Sequence, residues 1–306
     1  MAPSRLPSFL DPAAFVRDAE SMERQWGLEE SLDYTRWLST HHYENFHVVS
    51  FLLPKHLHQD FYNVYAFCRW ADDLGDEIGD THESLRLLKW WRGMPKTHPV
   101  FVALQPTIAS RGLPLDCFSN LITAFEHDQV VTRYANWDQV LAYCVNSANP
   151  VGRLVLALCG YHDEERARLS DYTCTGLQLA NFWQDVRVDV GKDRIYLPQD
   201  LLARHGVGEA DVLALRHSAG FAAAMHEAVE YARGYFVRGL PLIATLDARL
   251  SLDIELFSRG GLAILDKVEK AEYRVLDARP KIGKSERVWL LLTTILRWSK
   301  NRIAGG

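Results

Sequence analysis

Apolar residues return at intervals of three and four along almost the whole chain, which is the period of amphipathic α-helices. The pattern predicts helices over residues 13–26, 29–40, 57–73 and 84–91 in the first third of the chain. It resumes over 116–126, 137–147, 151–159, 164–190, 210–237, 251–276 and 285–298. Breaks are expected at Pro54, at Gly93 with Pro95 and Pro99, and from Arg111 to Pro114, where helix-ending residues gather. Pro150 suits the first turn of its helix and Gly160 suits the end of the same helix. No alternating β-branched run bounded by turn pairs interrupts this series, so the expected class is all-α. Short linkers and the lack of a fixed-period repeat predict one domain over residues 1–306.

Two of the predicted helices carry a polar line through apolar surroundings. Gln178, Asn181, Asp185 and Asp189 recur at spacings of three, four and four, amid Leu179, Phe182 and Trp183. Tyr65, Arg69, Asp72 and Asp76 repeat the pattern far earlier in the chain, beside Phe67 and Trp70. Each line ends in an Asp pair four residues apart, so its carboxylates rise about 6 Å along one helix face. Hard oxygen donors at that spacing suit Mg²⁺ shared with an anion. Two such pairs facing each other across a pocket would cage Mg²⁺ and a diphosphate. Plain surface acids are the alternative, and the large apolar neighbours weigh against it. Arg69 either pairs with Asp72 or offers its planar fork to phosphate oxygens. Gln178 and Asn181 either bond a neighbouring helix or reach the site. Asp193 and Arg194, just past the second line, form a weak loop ion pair or add a cation.

Composition narrows the setting more than the chemistry. With 48% apolar and 24% charged residues, 306 residues are ample for a folded core. A formal charge of −5 lacks the concentrated basic surface of a nucleic-acid binder. Five scattered cysteines without a CxxC pair favour reduced thiols and a cytoplasmic setting over disulfides or zinc. The first residues do not read as a secretory signal, and no apolar run of about 18 residues predicts a membrane span. Toward the C-terminus, Lys267, Lys270, Arg274, Arg279, Lys281, Lys284, Arg287, Arg297, Lys300 and Arg302 form a basic stretch. A solvated face is its plain reading; a cationic lid over a diphosphate and attachment to the inner membrane surface are its functional ones. Glu44 and His47 have the ExxH spacing of di-iron bundles, but no second copy accompanies them. No GxGxxG is present, and no NADPH is expected.

The two Asp-ended lines resemble the motifs of the squalene and phytoene synthase family of isoprenoid enzymes. The first matches as Tyr65, Arg69, Asp72 and Asp76; the second as Gln178, Asn181, Asp185 and Asp189, trailed by Arg194, Ile195 and Tyr196. His127, Asp128, Tyr143 and Gly152 sit where the family places pocket residues. The resemblance, over residues 41–279, implies a single helical bundle around an apolar channel, with two or three Mg²⁺ ions at its mouth. Metal ligands would be Asp72, Asp76, Asn181, Asp185 and Asp189. Tyr65, Tyr143 and Gln178 would be catalytic with the aspartates, Gln178 near the reacting carbons and Tyr65 reaching phosphate, and His42, Asn45, Phe46, Tyr65, Arg69, Gln178, Asn181, Arg194, Tyr196 and Tyr273 would bind substrate. Phe46, Tyr143 and Phe182 would line a carbocation chamber.

Two segments are similar to the hydroxysqualene synthase branch of bacterial hopanoid and squalene pathways. In HYENF, His42 and Phe46 keep the family pattern, while Tyr43, Glu44 and Asn45 replace a Ser, a basic residue and a Ser. SANPVGRL, before and after Gly152, replaces a small-residue run. The resemblance implies that presqualene diphosphate is ionised, rearranged and captured by water, with neighbouring enzymes of the squalene pathway as partners. Condensation of two prenyl diphosphates is the alternative, and a non-catalytic scaffold of the same fold is a third reading.

Overall fold

The computed structural model describes residues 9–41 and 54–304. Among them the regular structure is helical, as expected; the sole β-type feature is an isolated parallel bridge between Arg133 and Ile195. The chain divides into two compact units, residues 1–130 with 157–160, and residues 131–156 with 161–306. None of the described helices is long and apolar enough to cross a membrane. The five cysteines carry thiols rather than disulfides.

In the first unit, α1 (Pro12–Phe15) and α2 (Ala19–Glu23) replace the single helix expected over 13–26. Asp18 is the reason: its carboxylate accepts the Ser21 N–H at 2.9 Å and starts a new helix. Next come α3 (Leu28–His41), a short 3₁₀ turn (Lys55–Leu57), α4 (His58–Asp76) and α5 (Thr81–Arg92). A helix that periodicity missed, α6 (Pro99–Arg111), follows, and α7 (Leu115–Asp128) completes the unit. Pro99 occupies the first turn of α6, where a missing N–H costs nothing, so a residue read as a breaker is a starter.

Aromatic packing joins these helices. Trp70 of α4 and Trp91 of α5 stack at 4.9 Å, and the His98 ring stands edge-on to both, at 4.3 and 5.0 Å. Phe67, Phe101 and Phe118 extend the cluster. A buried amide ties the polar side: Asn63 accepts from Thr35 and Gln59 and donates to Ala103 O and Thr107, so all of its capacity is met between α3, α4 and α6.

The second unit holds α8 (Trp137–Ser147), α9 (Asn149–Leu158), α10 (Glu164–Val190), α11 (Gln199–Arg204), α12 (Glu209–Leu213), α13 (Ala219–Gly239), α14 (Pro241–Thr245), α15 (Ala248–Lys270) and α16 (Lys284–Ala304). The predicted 164–190 helix is found with the same bounds, because Asp163 caps Arg166 N at 3.0 Å. Gly160, at φ 86°, closes α9 through paired bonds from Gly160 N to Ala157 O and from Tyr161 N to Leu156 O. The helix expected over 210–237 is broken: Leu215 adopts φ 53° and Ser218 caps α13 by accepting from Phe221 N. The helix expected to reach 276 stops at Lys270, since Glu272 and Tyr273 take positive φ. At the centre, the Phe236 ring of α13 fills the space over Gly176 of α10 and Gly261 of α15; a Cβ on Gly261 would lie 2.4 Å from that ring.

His98 offers a test of this packing. Its Nδ1 accepts the Val100 N–H at 3.3 Å, its Nε2 has no partner, and burial holds its pKa well below the ordinary histidine range. The folded state therefore refuses a proton that the unfolded chain takes up below about pH 6.5, and stability falls by about 1.4 kcal/mol per pH unit there. His98→Phe, which loses the cap but cannot titrate, should be about 1 kcal/mol less stable than the parent at pH ~7.5. At pH ~5 the order should reverse, as read from urea unfolding at the two pH values.

Candidate active site

On α4 the first polar line lies along the half-exposed face, opposite buried Phe67, Trp70 and Leu74. Asp73, inside that line, is buried and takes the Arg69 guanidinium at 2.6 Å. Arg69 also reaches Asp72 at 3.4 Å, so the pairing expected with Asp72 is the longer of two. Burial, opposed by Arg69 and reinforced by Asp72 and Glu77, pushes the Asp73 carboxyl up to about 7. Asp72 keeps 46% of its side chain exposed, and Asp76 ends the helix in solvent. Tyr65, a turn before Arg69, is half-buried, and burial raises its pKa. His127 and Asp128 close α7 in the same unit.

The second line runs along α10. Asp185, 14% exposed, receives a two-pronged hydrogen bond from Arg279: Nε donates to Oδ1, and Nη2 donates to Oδ2 at 2.9 Å. Adjoining bonds hold the segment that delivers this arginine. Gln184 Nε2 donates to Pro280 O at 2.7 Å and Arg187 Nη1 to Leu276 O at 2.6 Å. One turn on, Asp189 is pushed up to about 7, first by burial and then by the Asp185 charge, against Lys192, Arg194 and Arg279. Gln178 is half-buried on this helix and Asn181 is exposed.

Past α10 the chain turns sharply. Asp193 takes φ 56°, and the Arg194 N–H returns to Asp189 O at 2.9 Å. A loop ion pair with Arg194 is one of the two readings that the sequence allows for Asp193. Arg133 is found there instead, bonding the Asp193 carboxylate at 2.6 Å and its carbonyl, and Glu209 at 2.8 Å. Adjacent sequence positions suggested a local pair; the turn aims the Asp193 carboxylate at a residue 60 positions earlier.

Three aromatic residues singled out in the sequence come together in this unit. Tyr196 stacks on Phe182 at 3.7 Å and 7°, and Tyr143 lies 5.9 Å from Phe182 and 5.8 Å from Tyr196. Tyr134, 1% exposed, joins at 5.5 Å from Tyr196. It lies on a connection without periodicity, so no pattern marked it. Tyr273 bonds His226 Nδ1 through its hydroxyl at 2.8 Å. His42, Asn45 and Phe46, with the rest of HYENF, lie outside the described residues.

The donor set fits a hard divalent cation. Among the described residues no three His, Cys, Asp or Glu side chains converge on one point. Each Asp pair could supply carboxylate oxygens for part of a shell, the mode in which Mg²⁺ is held when phosphate oxygens and water complete its six ligands. Asp185 has a cation beside it already, the Arg279 fork, and Asp189 is raised by burial and by the Asp185 charge in spite of Lys192, Arg194 and Arg279.

An all-helical chain with an Asp pair on each of two helices is the architecture of the helical isoprenoid synthases. The chain belongs to the squalene/phytoene synthase family, whose pattern matches residues 39–286. A hydroxysqualene synthase of Rhodopseudomonas palustris is 35% identical over 261 residues, covering 82% of this chain and 85% of that protein. A phytoene synthase of Thermus thermophilus is 30% identical over 257 residues, covering 82% and 87%. The crystal structure of a squalene synthase from Alicyclobacillus acidocaldarius is 41% identical, with a TM-score of 0.77 over 80% of this chain and 95% of that one.

The strain on Asp189 is measurable without substrate. Its folded pKa of about 7 exceeds the unfolded value of about 3.9, so the folded state keeps a proton that the unfolded state releases, and stability is lost as pH rises through that window. In metal-free protein at pH ~8, Asp189→Asn should gain on the order of 1 kcal/mol, about 2 °C in melting temperature. The gain should shrink as pH falls from about 7 toward 4, which thermal unfolding in chelator will read.

Proposed function

We propose that this chain is a hydroxysqualene synthase. It ionises presqualene diphosphate with Mg²⁺, lets the cyclopropylcarbinyl cation rearrange, and captures the product cation with water. The carbon–oxygen bond breaks with its electron pair leaving on diphosphate; the water oxygen bonds carbon and gives up a proton. No electrons enter or leave, so the reaction needs no nicotinamide. The observation that carries the reading is the pair of Asp lines on α4 and α10, both complete. Similarity to the Rhodopseudomonas hydroxysqualene synthase supports the branch, as do HYENF and SANPVGRL.

Asp72 and Asp76 on one helix, and Asp185 and Asp189 with Asn181 on the other, would hold Mg²⁺. When bound, the metal neutralises charge that builds on the departing diphosphate. Arg279, now on Asp185, and Arg194, beside Asp189, are cations that the chain brings to the same place. Arg69 pairs with Asp73 next to the first Asp pair and opposes the upward pull of burial on that carboxyl. Tyr143, Phe182 and Tyr196 offer ring faces to a carbocation, and Tyr65, Gln178 and Tyr273 are candidate substrate contacts. Glu44 in place of a cation suits a site for one diphosphate, since a second anionic substrate would lose its counter-charge.

A condensing reaction is the second reading, favoured by the 30% identity to a phytoene synthase. A scaffold without catalysis is disfavoured by retention of all four aspartates. Purified protein with Mg²⁺ should release diphosphate from presqualene diphosphate and yield hydroxysqualene by mass spectrometry, while farnesyl diphosphate alone is left unchanged. Turnover of farnesyl diphosphate with no turnover of presqualene diphosphate would sink the assignment. Asn at Asp72, Asp76, Asp185 or Asp189 should each cost roughly a hundredfold or more in rate.

A further inference from the structure

The last helix of the chain has two unlike faces. One lies on α15: Arg259 donates to Thr294 at 2.9 Å and to Thr293 at 3.1 Å, Trp298 Nε1 donates to Ser251 at 2.9 Å, and Lys267 pairs with Glu286. The other presents Val288, Trp289, Leu292 and Ile295 to solvent, with Trp289 69% exposed and Val288 58%. At 100° per residue these four fall within an arc of about 120°.

Charge selects the occupant. This helix contains Lys284, Arg287, Arg297, Lys300 and Arg302 against the single acid Glu286, which Lys267 already neutralises, in a chain whose net charge is −5. A second copy of so cationic a helix would be repelled, whereas a surface of anionic lipid headgroups would be attracted. A cationic helix with an exposed Trp and aliphatic arc has the make-up of one that lies in the plane of a bilayer interface. The family match ends at residue 286, so nearly all of this face belongs to the segment beyond the shared core.

We propose that α16 docks the enzyme on anionic membrane surfaces, with Val288, Trp289, Leu292 and Ile295 entering the headgroup–acyl boundary. The docking needs no substrate, so it stands apart from the assignment of the reaction.

The purified protein with α16 intact should co-sediment with vesicles of equimolar phosphatidylglycerol and phosphatidylcholine, and far less with phosphatidylcholine alone. At about 1 M salt, where the Debye length is about 3 Å, binding to the anionic vesicles should weaken. The double variant Trp289→Ser, Leu292→Ser should lose at least about tenfold in vesicle affinity. Its circular dichroism and melting curve should remain those of the parent, because neither side chain is buried against α15. A second variant, Lys284→Gln with Arg287→Gln, should lose selectivity for anionic vesicles through charge alone. Absence of vesicle binding by the parent overturns the proposal. So does a serine variant that binds vesicles as the parent does, or one whose only change, by sedimentation equilibrium, is the loss of a dimer.

Discussion

Two carboxylates one turn apart on a half-buried stretch of helix repel each other, and cations from two segments of the second unit gather around them. Asp185 and Asp189 sit on α10 among Phe182, Trp183 and Val186, all buried. Partial burial weakens the screening, and the cost appears at Asp189, whose carboxyl is pushed up to about 7. Relief comes from Arg279, which gives both prongs of its guanidinium to Asp185, and from Lys192 and Arg194, which the turn after α10 folds back toward Asp189. A fork on a carboxylate is among the stronger charge-assisted contacts available to a side chain. The same charges that the fold tolerates at a cost are those a metal ion would relieve, and perturbed acids of this sort gather at functional sites.

The first unit meets a like problem by a local device. Asp73 is buried on α4 and also pushed up to about 7, but its counter-ion lies on the same helix, one turn back, at 2.6 Å. Arg69 also reaches Asp72 at 3.4 Å, and Asp72 and Asp76 lie on the more exposed side of the same helix. One Asp therefore anchors the arginine and two stay at the surface, whereas on α10 the counter-ion must come from a segment 94 positions later in the chain. The α10 site depends on the fold beyond Lys270 in a way that the α4 line does not.

This difference explains what could be read from residues alone. Both polar lines, and α10 with its bounds, rest on signals within a few positions: helical spacing, the Asp163 cap and the Gly160 terminator. Family resemblance carried across the chain for the same reason, since its motifs are local. The Asp185–Arg279 pair, the Arg133–Asp193 link and the place of Tyr134 in the aromatic cluster join residues far apart in sequence, and no spacing rule reaches them. Helix errors had another cause. At Pro99, Asp18 and Leu215 one residue type serves two ends: proline opens α6 where it was taken to break, and a carboxylate or a positive φ divides periodic runs that continue in register.

The basic C-terminal stretch, which as a sequence invited one explanation, separates into residues with different work. Lys267 holds Glu286, Arg274 holds Asp277, and Arg279 holds Asp185, so three of its cations are spent on acids of the same unit. What remains is concentrated on α16, where the apolar arc also lies. A solvated face explains cations but not an exposed Trp and three exposed aliphatics beside them. A lid over diphosphate explains Arg279 but not a helix whose apolar side points away from α15. Neither reading covers the whole stretch, because three of the cations before α16 are tied one by one to acids of the unit, Arg279 to Asp185 among them, whereas those of α16 accompany an outward apolar surface.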